Sequence, residues 1–268
     1  MCLLVLAWRL HPRFPLVVAA NRDEFHERAA AALAPWPAPP ILAGRDLRAG
    51  GTWLALDRQR RFGVVTNFRE RQPPRAAAPS RGELIPSYLG GAQAPQQFLA
   101  TLQARAPEYS GFNLLLADRD SLWYGSNRGT PFARALAPGV HGLSNESLDT
   151  PWPKLQRVRR GFEDWLRQGP ADPAQLFALL ADRTRVSDDS QLPHTGLTTE
   201  WERVLSSPFV QDPDYGTRCS TVLMLEADGA VYLAERRFDR QGQVQGESEY
   251  RLPAAGWPQA HGTDTAAG

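Results

Sequence analysis

Apolar residues run almost unbroken from Cys2 to Leu10 and again through "PLVVAA" (Pro15–Ala20), with only the turn "HPRF" between them. Two such runs across a tight turn predict a hairpin whose strands are buried on both faces. "NRDE" (Asn21–Glu24) follows where the second run closes. "GGTWLALD" (Gly50–Asp57) and "RFGVVTNF" (Arg61–Phe68) predict a second strand pair, and "LAPWPAPPILAG" between the pairs is too proline-rich for a helix interior.

Helical spacing appears next. "SRGELIPSYLGG" predicts a short helix stopped by glycine, and Pro95–Arg105 a second. "FNLLLADRDSLWYGSN" reads as strand, turn, strand, and "GVHGLSNE" (Gly139–Glu146) as a short strand ending in a polar loop. "TPWPKLQRVRRGFEDWLRQG" is an amphipathic helix with proline near its start and glycine at its end. Shorter helical stretches lie near Pro173–Asp182 and Thr199–Leu205. "RCSTVLMLEADGAVYLAERRF" is a hairpin turning at "ADGA". Strands occupy both ends of the chain, helices mostly the middle, and neighbouring strands join as hairpins rather than through helical crossovers. This pattern predicts an α+β fold with antiparallel sheets covered by helices, and not a doubly wound sheet. No repeat and no linker interrupts it, so a single domain over residues 1–253 is expected, followed by a flexible tail over 254–268.

Composition narrows the partners. Thirty basic residues balance 29 acidic ones, without the concentrated basic face that nucleic acid requires. The basic residues are nearly all arginine, Lys154 being the one lysine. Together with abundant Ala, Gly and Pro, this predicts a GC-rich bacterial source. The first apolar run is too short to span a bilayer and lacks the features of a signal peptide, so a cytoplasmic protein is expected. Cys2 and Cys219 make no disulfide framework, although one bridge between them stays possible.

Common catalytic motifs are missing: no phosphate loop, dinucleotide fingerprint, H-E-x-x-H or C-x-x-C occurs. "GLSNE" lacks the closing glycine of a nucleophile elbow. The five histidines (His11, His26, His141, His194 and His261) have no ligand spacing, and no metal site is expected. Cys2 remains. It is either a small hydrophobe in a core strand or, once Met1 is removed, a nucleophile whose own α-amine serves as base. That amine has an ordinary pKa of about 7.7–8.0, so a useful fraction is neutral at physiological pH. Such chemistry needs an arginine near the thiolate, an acid for the amine and an amide donor for the oxyanion. The hairpin brings its open ends together, which places Asn21, Arg22 and Asp23 beside Cys2. Asn67, Asn145 and Arg218 also stand at strand ends.

"MCLLVLAW", "AANRDE", "GGTWLALD", "GVVTNFR", "SRGELIP", "FNLLL", "GLSNE" and "TRCSTVLML", in this order and spacing, resemble the NRDE family, named for the motif at Asn21–Glu24 and including a eukaryotic transport-and-Golgi-organisation protein. The resemblance spans Met1 to about Arg237. It implies an N-terminal nucleophile hydrolase-like fold, a four-layer αββα sandwich, with Cys2 as the candidate nucleophile. A weaker similarity to bile-salt and penicillin V acylases implies a site of Cys2, Arg22, Asp23, Asn67, Asn145 and Arg218. In those enzymes the Arg and Asp are three residues apart, whereas here they are adjacent. Adjacent strand residues face opposite ways, which favours Arg22 over Asp23 as the group facing Cys2.

Three readings follow. In the first, Cys2 hydrolyses a linear, non-peptide amide or thioester without a cofactor, with Asn67 or Asn145 at the oxyanion and Arg22 or Arg218 positioning the substrate. In the second, implied by family links to haem trafficking and lipid or acyl handling, the same pocket carries an apolar anionic ligand such as haem. Trp8 and Trp53 would form its walls, and Cys2 or His26 could serve as axial ligand. In the third, the chain is an interaction protein without a small-molecule site.

Overall fold

The computed structural model describes residues 2–70, 78–169 and 172–259. Strands β1 (Cys2–Trp8), β2 (Leu16–Phe25), β3 (Ala30–Pro35), β4 (Ile41–Asp46), β5 (Leu54–Asp57) and β6 (Phe62–Asn67) come first. Helices α1 (Leu84–Gly90) and α2 (Pro95–Gln103) precede β7 (Phe112–Ala117), β8 (Leu122–Ser126), β9 (Ala133–Ala135) and β10 (Gly139–Leu143). Then come α3 (Pro153–Arg167), α4 (Pro173–Leu180), α5 (Thr199–Val204), β11 (Tyr215–Leu225), β12 (Val231–Phe238) and β13 (Val244–Leu252).

The strands form two sheets, ordered β10-β1-β2-β11-β12-β13 and β3-β4-β5-β6-β7-β8-β9, and every pairing is antiparallel. Period-two alternation explains the layers. Leu4, Leu6, Leu16, Val18 and Leu223 of the first sheet meet Leu42, Leu56, Phe62 and Leu115 of the second in an inter-sheet core. The alternate residues Leu3, Val5, Val17 and Val222 pack outward on Leu155, Phe162 and Leu176 of α3 and α4. Ile41, Ala55 and Leu114 likewise pack on Leu84, Tyr88 and Leu99 of α1 and α2. The result is the expected αββα sandwich. It explains why β1 and the first part of β2 read as unbroken apolar runs: both of their faces are covered.

Three features differ from the expectations. The proline-rich stretch after residue 32 holds the end of β3 and the start of β4, with Pro37, Pro39 and Pro40 confined to their turn. Pro35 is tolerated because β3 is an edge strand. The edge strands β9 and β13 escape the sequence reading, and most of β13 faces solvent. A Cys2–Cys219 bridge does not form: β2 runs between β1 and β11, and both cysteines pair with Arg22 across it. Two strand spacings place them about 10 Å apart, beyond the roughly 7 Å reach of a disulfide.

Beyond Pro253 the chain is anchored as far as Trp257, which packs on the inter-sheet core. The Arg60 guanidinium donates to the carbonyl oxygens of Pro253, Ala254 and Gly256 at 3.0–3.1 Å. Residues 260–268 of the expected tail lie outside the described residues. Among the described residues, no helix is long and apolar enough to cross a membrane.

Candidate active site

The hairpin closes as its sequence requires, with Cys2 paired to Arg22 and Leu3 to Asn21. β2 continues straight through "NRDE" to Phe25, so neighbouring residues of the motif alternate in facing. Arg22 shares the inter-sheet face with Cys2, whereas Asn21 and Asp23 face the helical layer. Asn21 is a tie there: its amide nitrogen donates to the carbonyls of Leu180 and Pro208, and its oxygen accepts from Ser220.

Arg22 is 6% exposed and stacks on Trp53, with its guanidinium carbon 4.4 Å from the ring centroid. Trp53 in turn packs against Gly44, where a Cβ would stand 2.4 Å from the indole. Arg22 Nη2 is 3.9 Å from Glu24 Oε2, and Nη1 has no hydrogen-bond partner among the described residues.

The backbone of Cys2 is held from the loop that follows β10. Its N–H donates to Asn145 Oδ1 at 3.2 Å, and its carbonyl accepts from Ser144 Oγ at 3.0 Å. Asn145 Nδ2 donates to the carbonyl of Asn67 at 2.9 Å. The Asn145 amide is thus committed on both sides. Asn67, at the end of β6, lines the cleft with Cys2, and its side chain makes no hydrogen bond among the described residues. Of the two asparagines, Asn67 has the donor that is open to a ligand.

Burial is the leading influence on the Cys2 thiol and pushes its pKa above the usual cysteine value; the Arg22 charge and the Asp23 backbone N–H oppose it. A thiol so placed needs a base to become a nucleophile. Asp23 is 1% exposed, and its Oδ1 accepts from Thr217 Oγ1 at 2.7 Å. Burial pushes its carboxyl up as well, against the opposing charge of Lys154. Lys154, 3% exposed in the first turn of α3, feels Asp23, Arg69, Cys2 and Glu202. A buried charged cluster therefore underlies the cysteine. The sequence offered one signal for it, that Lys154 is the only lysine.

Arg218 stands apart from this cleft. β2 and β11 shift register between Thr217 and Cys219, leaving Arg218 on a bulge. Its Nη1 donates to the carbonyls of Phe25 and His26. Arg81, not anticipated from sequence, lines the cleft instead.

The cleft has a volume of about 610 Å³ and gathers Cys2, Arg22, Trp53, Asn67 and Arg81, with Glu24, Arg28 and Asp46 nearer its rim. A porphyrin needs a broad apolar slot with an axial ligand, and this lining of charged and polar side chains does not fit one. His26 is not part of the lining, and its Nε2 is within 3.1 Å of the Asp212 carbonyl. Among the described residues no group of three His, Cys, Asp or Glu side chains could hold a metal ion.

Two antiparallel sheets stacked between helical layers give the chain an N-terminal nucleophile hydrolase-like fold. The solved structure of the mutant C2A conjugated bile acid hydrolase from Clostridium perfringens superposes with a TM-score of 0.51, covering 98% of this chain and 97% of that one at 7% identity. The chain belongs to the Transport and Golgi organisation 2 family, which matches residues 1–240. It is 35% identical over 263 residues to the Transport and Golgi organization protein 2 homolog of Bos taurus, covering 89% of this chain and 93% of that protein. With the human homolog it shares 33% over 240 residues (83% and 86% covered), and with the Drosophila melanogaster protein 26% over 261 (88% and 91%). These relatives, with another from mouse, are animal proteins, which overturns the expectation of a bacterial source. An arginine-rich, lysine-poor composition does not identify the origin of this chain.

Proposed function

We propose that the protein is a cysteine hydrolase of non-peptide amides or thioesters. Removal of Met1 turns the Cys2 nitrogen into an α-amine. The neutral amine takes the thiol proton, and the thiolate attacks the substrate carbonyl. The Asn67 amide donates to the oxyanion, and Arg22 stabilises the thiolate and holds the substrate. The protonated amine then gives its proton to the leaving nitrogen or sulfur, and an acyl-thioester remains on Cys2. Water, deprotonated by the same amine, releases the acid and restores the thiol. No cofactor enters these steps, and a reducing cytoplasmic setting would keep both thiols free.

The observation that carries this reading is the grip on the Cys2 nitrogen: its N–H points at Asn145 Oδ1 at 3.2 Å, with Arg22 directly across the strand pair. Once Met1 is gone, the same contact would hold the amine beside its own thiol at the edge of the open cleft.

The test starts with the intact mass of the purified protein, expected to lack Met1. Release of chromophore from acyl p-nitroanilides and acyl thioesters is then followed for wild type, Cys2→Ser and Arg22→Ala. Wild type should turn over at least one class, Cys2→Ser should lose more than about 100-fold, and Arg22→Ala should lose at least tenfold. A retained Met1 in active protein, or undiminished turnover by Cys2→Ser, would refute the mechanism. Carriage of an anionic ligand without chemistry predicts the opposite: no turnover, and equal ligand binding by wild type and Cys2→Ser.

A further inference from the structure

Two guanidinium groups face the cleft beside Cys2 without a close carboxylate partner. Arg22 is almost fully buried, its Nη1 lacks a hydrogen bond among the described residues, and its nearest acid, Glu24, is 3.9 Å away. Arg81 makes one bond, from Nη1 to the Gly111 carbonyl at 3.0 Å, and forms no salt bridge among the described residues. A rigid turn fixes its position. Ser80 Oγ accepts from Gly82 N–H, and Thr52 N–H donates to the Gly82 carbonyl at 3.0 Å.

Of the acids that line the cleft, Asp23 accepts from Thr217 Oγ1 on the helical side, and Asp46 and Glu24 are held by other partners. Asp46 Oδ2 accepts two bonds from Arg28 at 2.6 and 2.9 Å, and its Oδ1 accepts the backbone N–H of Arg48 and Ala49. Glu24 Oε2 is shared, 3.8 Å from Arg28 and 3.9 Å from Arg22, and its Oε1 accepts the Phe25 N–H. Glu27 and Arg48 are exposed at the rim. Inside the cleft, next to the thiol, the uncommitted charge is positive and fork-shaped, which suits carboxylate or phosphate.

We propose that Arg81 and Arg22 form an oxyanion-group clamp, so that the substrate is an amide or thioester carrying a carboxylate or phosphate. The clamp deepens the hydrolase reading and rests on it for the word substrate, but anion binding can be tested separately.

Iodoacetate and iodoacetamide deliver the same alkylation, with and without a carboxylate. An ordinary thiolate reacts faster with the neutral reagent. Rates at Cys2 are measured by peptide mass on the purified full-length protein. The clamp predicts that Cys2 prefers iodoacetate. It also predicts that Arg81→Gln lowers the iodoacetate-to-iodoacetamide ratio about tenfold or more, that Arg81→Lys recovers part of it, and that Arg48→Gln at the rim leaves it in place. Inorganic phosphate and acetate at equal ionic strength are compared as protectants, and the stronger one identifies the favoured oxyanion. Thermal midpoints with and without each anion give a readout that does not need a reactive thiol. An anion-dependent rise that Arg81→Gln abolishes supports the clamp even when Cys2 is inert to both reagents, an outcome that would count against the hydrolase reading alone. Alkylation that favours iodoacetamide in wild type and Arg81→Gln equally, with no anion-dependent rise, overturns the clamp while leaving the nucleophile intact.

Discussion

Lys154 is buried at the start of α3, and its Nζ has no hydrogen-bond partner among the described residues. Burial pushes its pKa down to about 8, with the charge of Asp23 opposing. In the unfolded chain a lysine titrates near 10.4. Between these values the unfolded chain holds a proton that the folded protein has released, so this group makes stability rise with pH from about 8 to about 10.5. Urea unfolding across that window should show wild type gaining about 3 kcal/mol relative to Lys154→Met. Parallel curves for the two proteins would mean that Lys154 titrates normally. Single residues were readable from sequence where a strand fixes them. Hairpin register joined Cys2 to Arg22, and strand alternation separated Arg22 from Asp23. Arg218 was not readable, because one extra residue on a bulge redirects its side chain. Asn145 was identified as a site residue, but which of its atoms are already engaged depends on contacts with β1 and β6.

At the scale of elements, two motifs of the sequence explain each other. "GGTW" enters β5 and "SRGE" enters α1, and their glycines meet backbone to backbone. A Cβ on Gly51 would stand 2.4 Å from the Gly82 carbonyl carbon and 2.5 Å from its oxygen. No side-chain rotation relieves a contact with backbone, so the turn carrying Arg81 would have to move. Gly51→Ala should cost about 1–3 kcal/mol in denaturant unfolding and diminish the iodoacetate preference at Cys2. Gly91→Ala, at the end of the same helix with only ordinary contacts of 3.6 and 3.7 Å, should change neither. Equal effects of the two substitutions would remove the reason for the pairing. Elements with an apolar face were legible from sequence, since burial on a sheet or helix leaves a period. β13 was not: "VQGESEYRL" is paired on one edge only and largely exposed, so nothing constrains its pattern to alternate in hydrophobicity. β3 and β4 were hidden by Pro35, inside β3, and by the three prolines of the turn joining them.

Across the whole molecule, the inter-sheet layer changes character along its length. β1 contributes Cys2, Leu4, Leu6 and Trp8 to it; β2 contributes Arg22, Ala20, Val18 and Leu16; and β11 contributes Cys219, Thr221, Leu223 and Leu225. The apolar rungs hold the sheets together, and the last rung turns polar where the cleft opens. Glu235 closes the layer nearby, accepting the Leu33 N–H of the opposite sheet at 2.9 Å while 2% exposed. At the apolar end the layer is sealed by the C-terminal segment. Trp257 packs there, and Arg60 binds the carbonyls of Pro253, Ala254 and Gly256 in that segment and the Gly229 carbonyl at 2.8 Å. The folded unit is therefore expected to extend past Pro253 to Trp257. A chain ended at Leu252 removes three of the four acceptors of the buried Arg60 and uncovers apolar core. The loss should be about 2 kcal/mol, which lowers the thermal midpoint by about 4–8 °C relative to a chain ended at Gln259. Arg60→Gln in the longer chain should reproduce much of that decrease, because it removes the same bonds from the other side. Alkylation of Cys2 should be unaffected by either change, since the seal and the cleft lie at opposite ends of the layer. A shortened chain that melts with the longer one would place the end of the folded unit at Leu252 and reduce the Arg60 contacts to surface dressing.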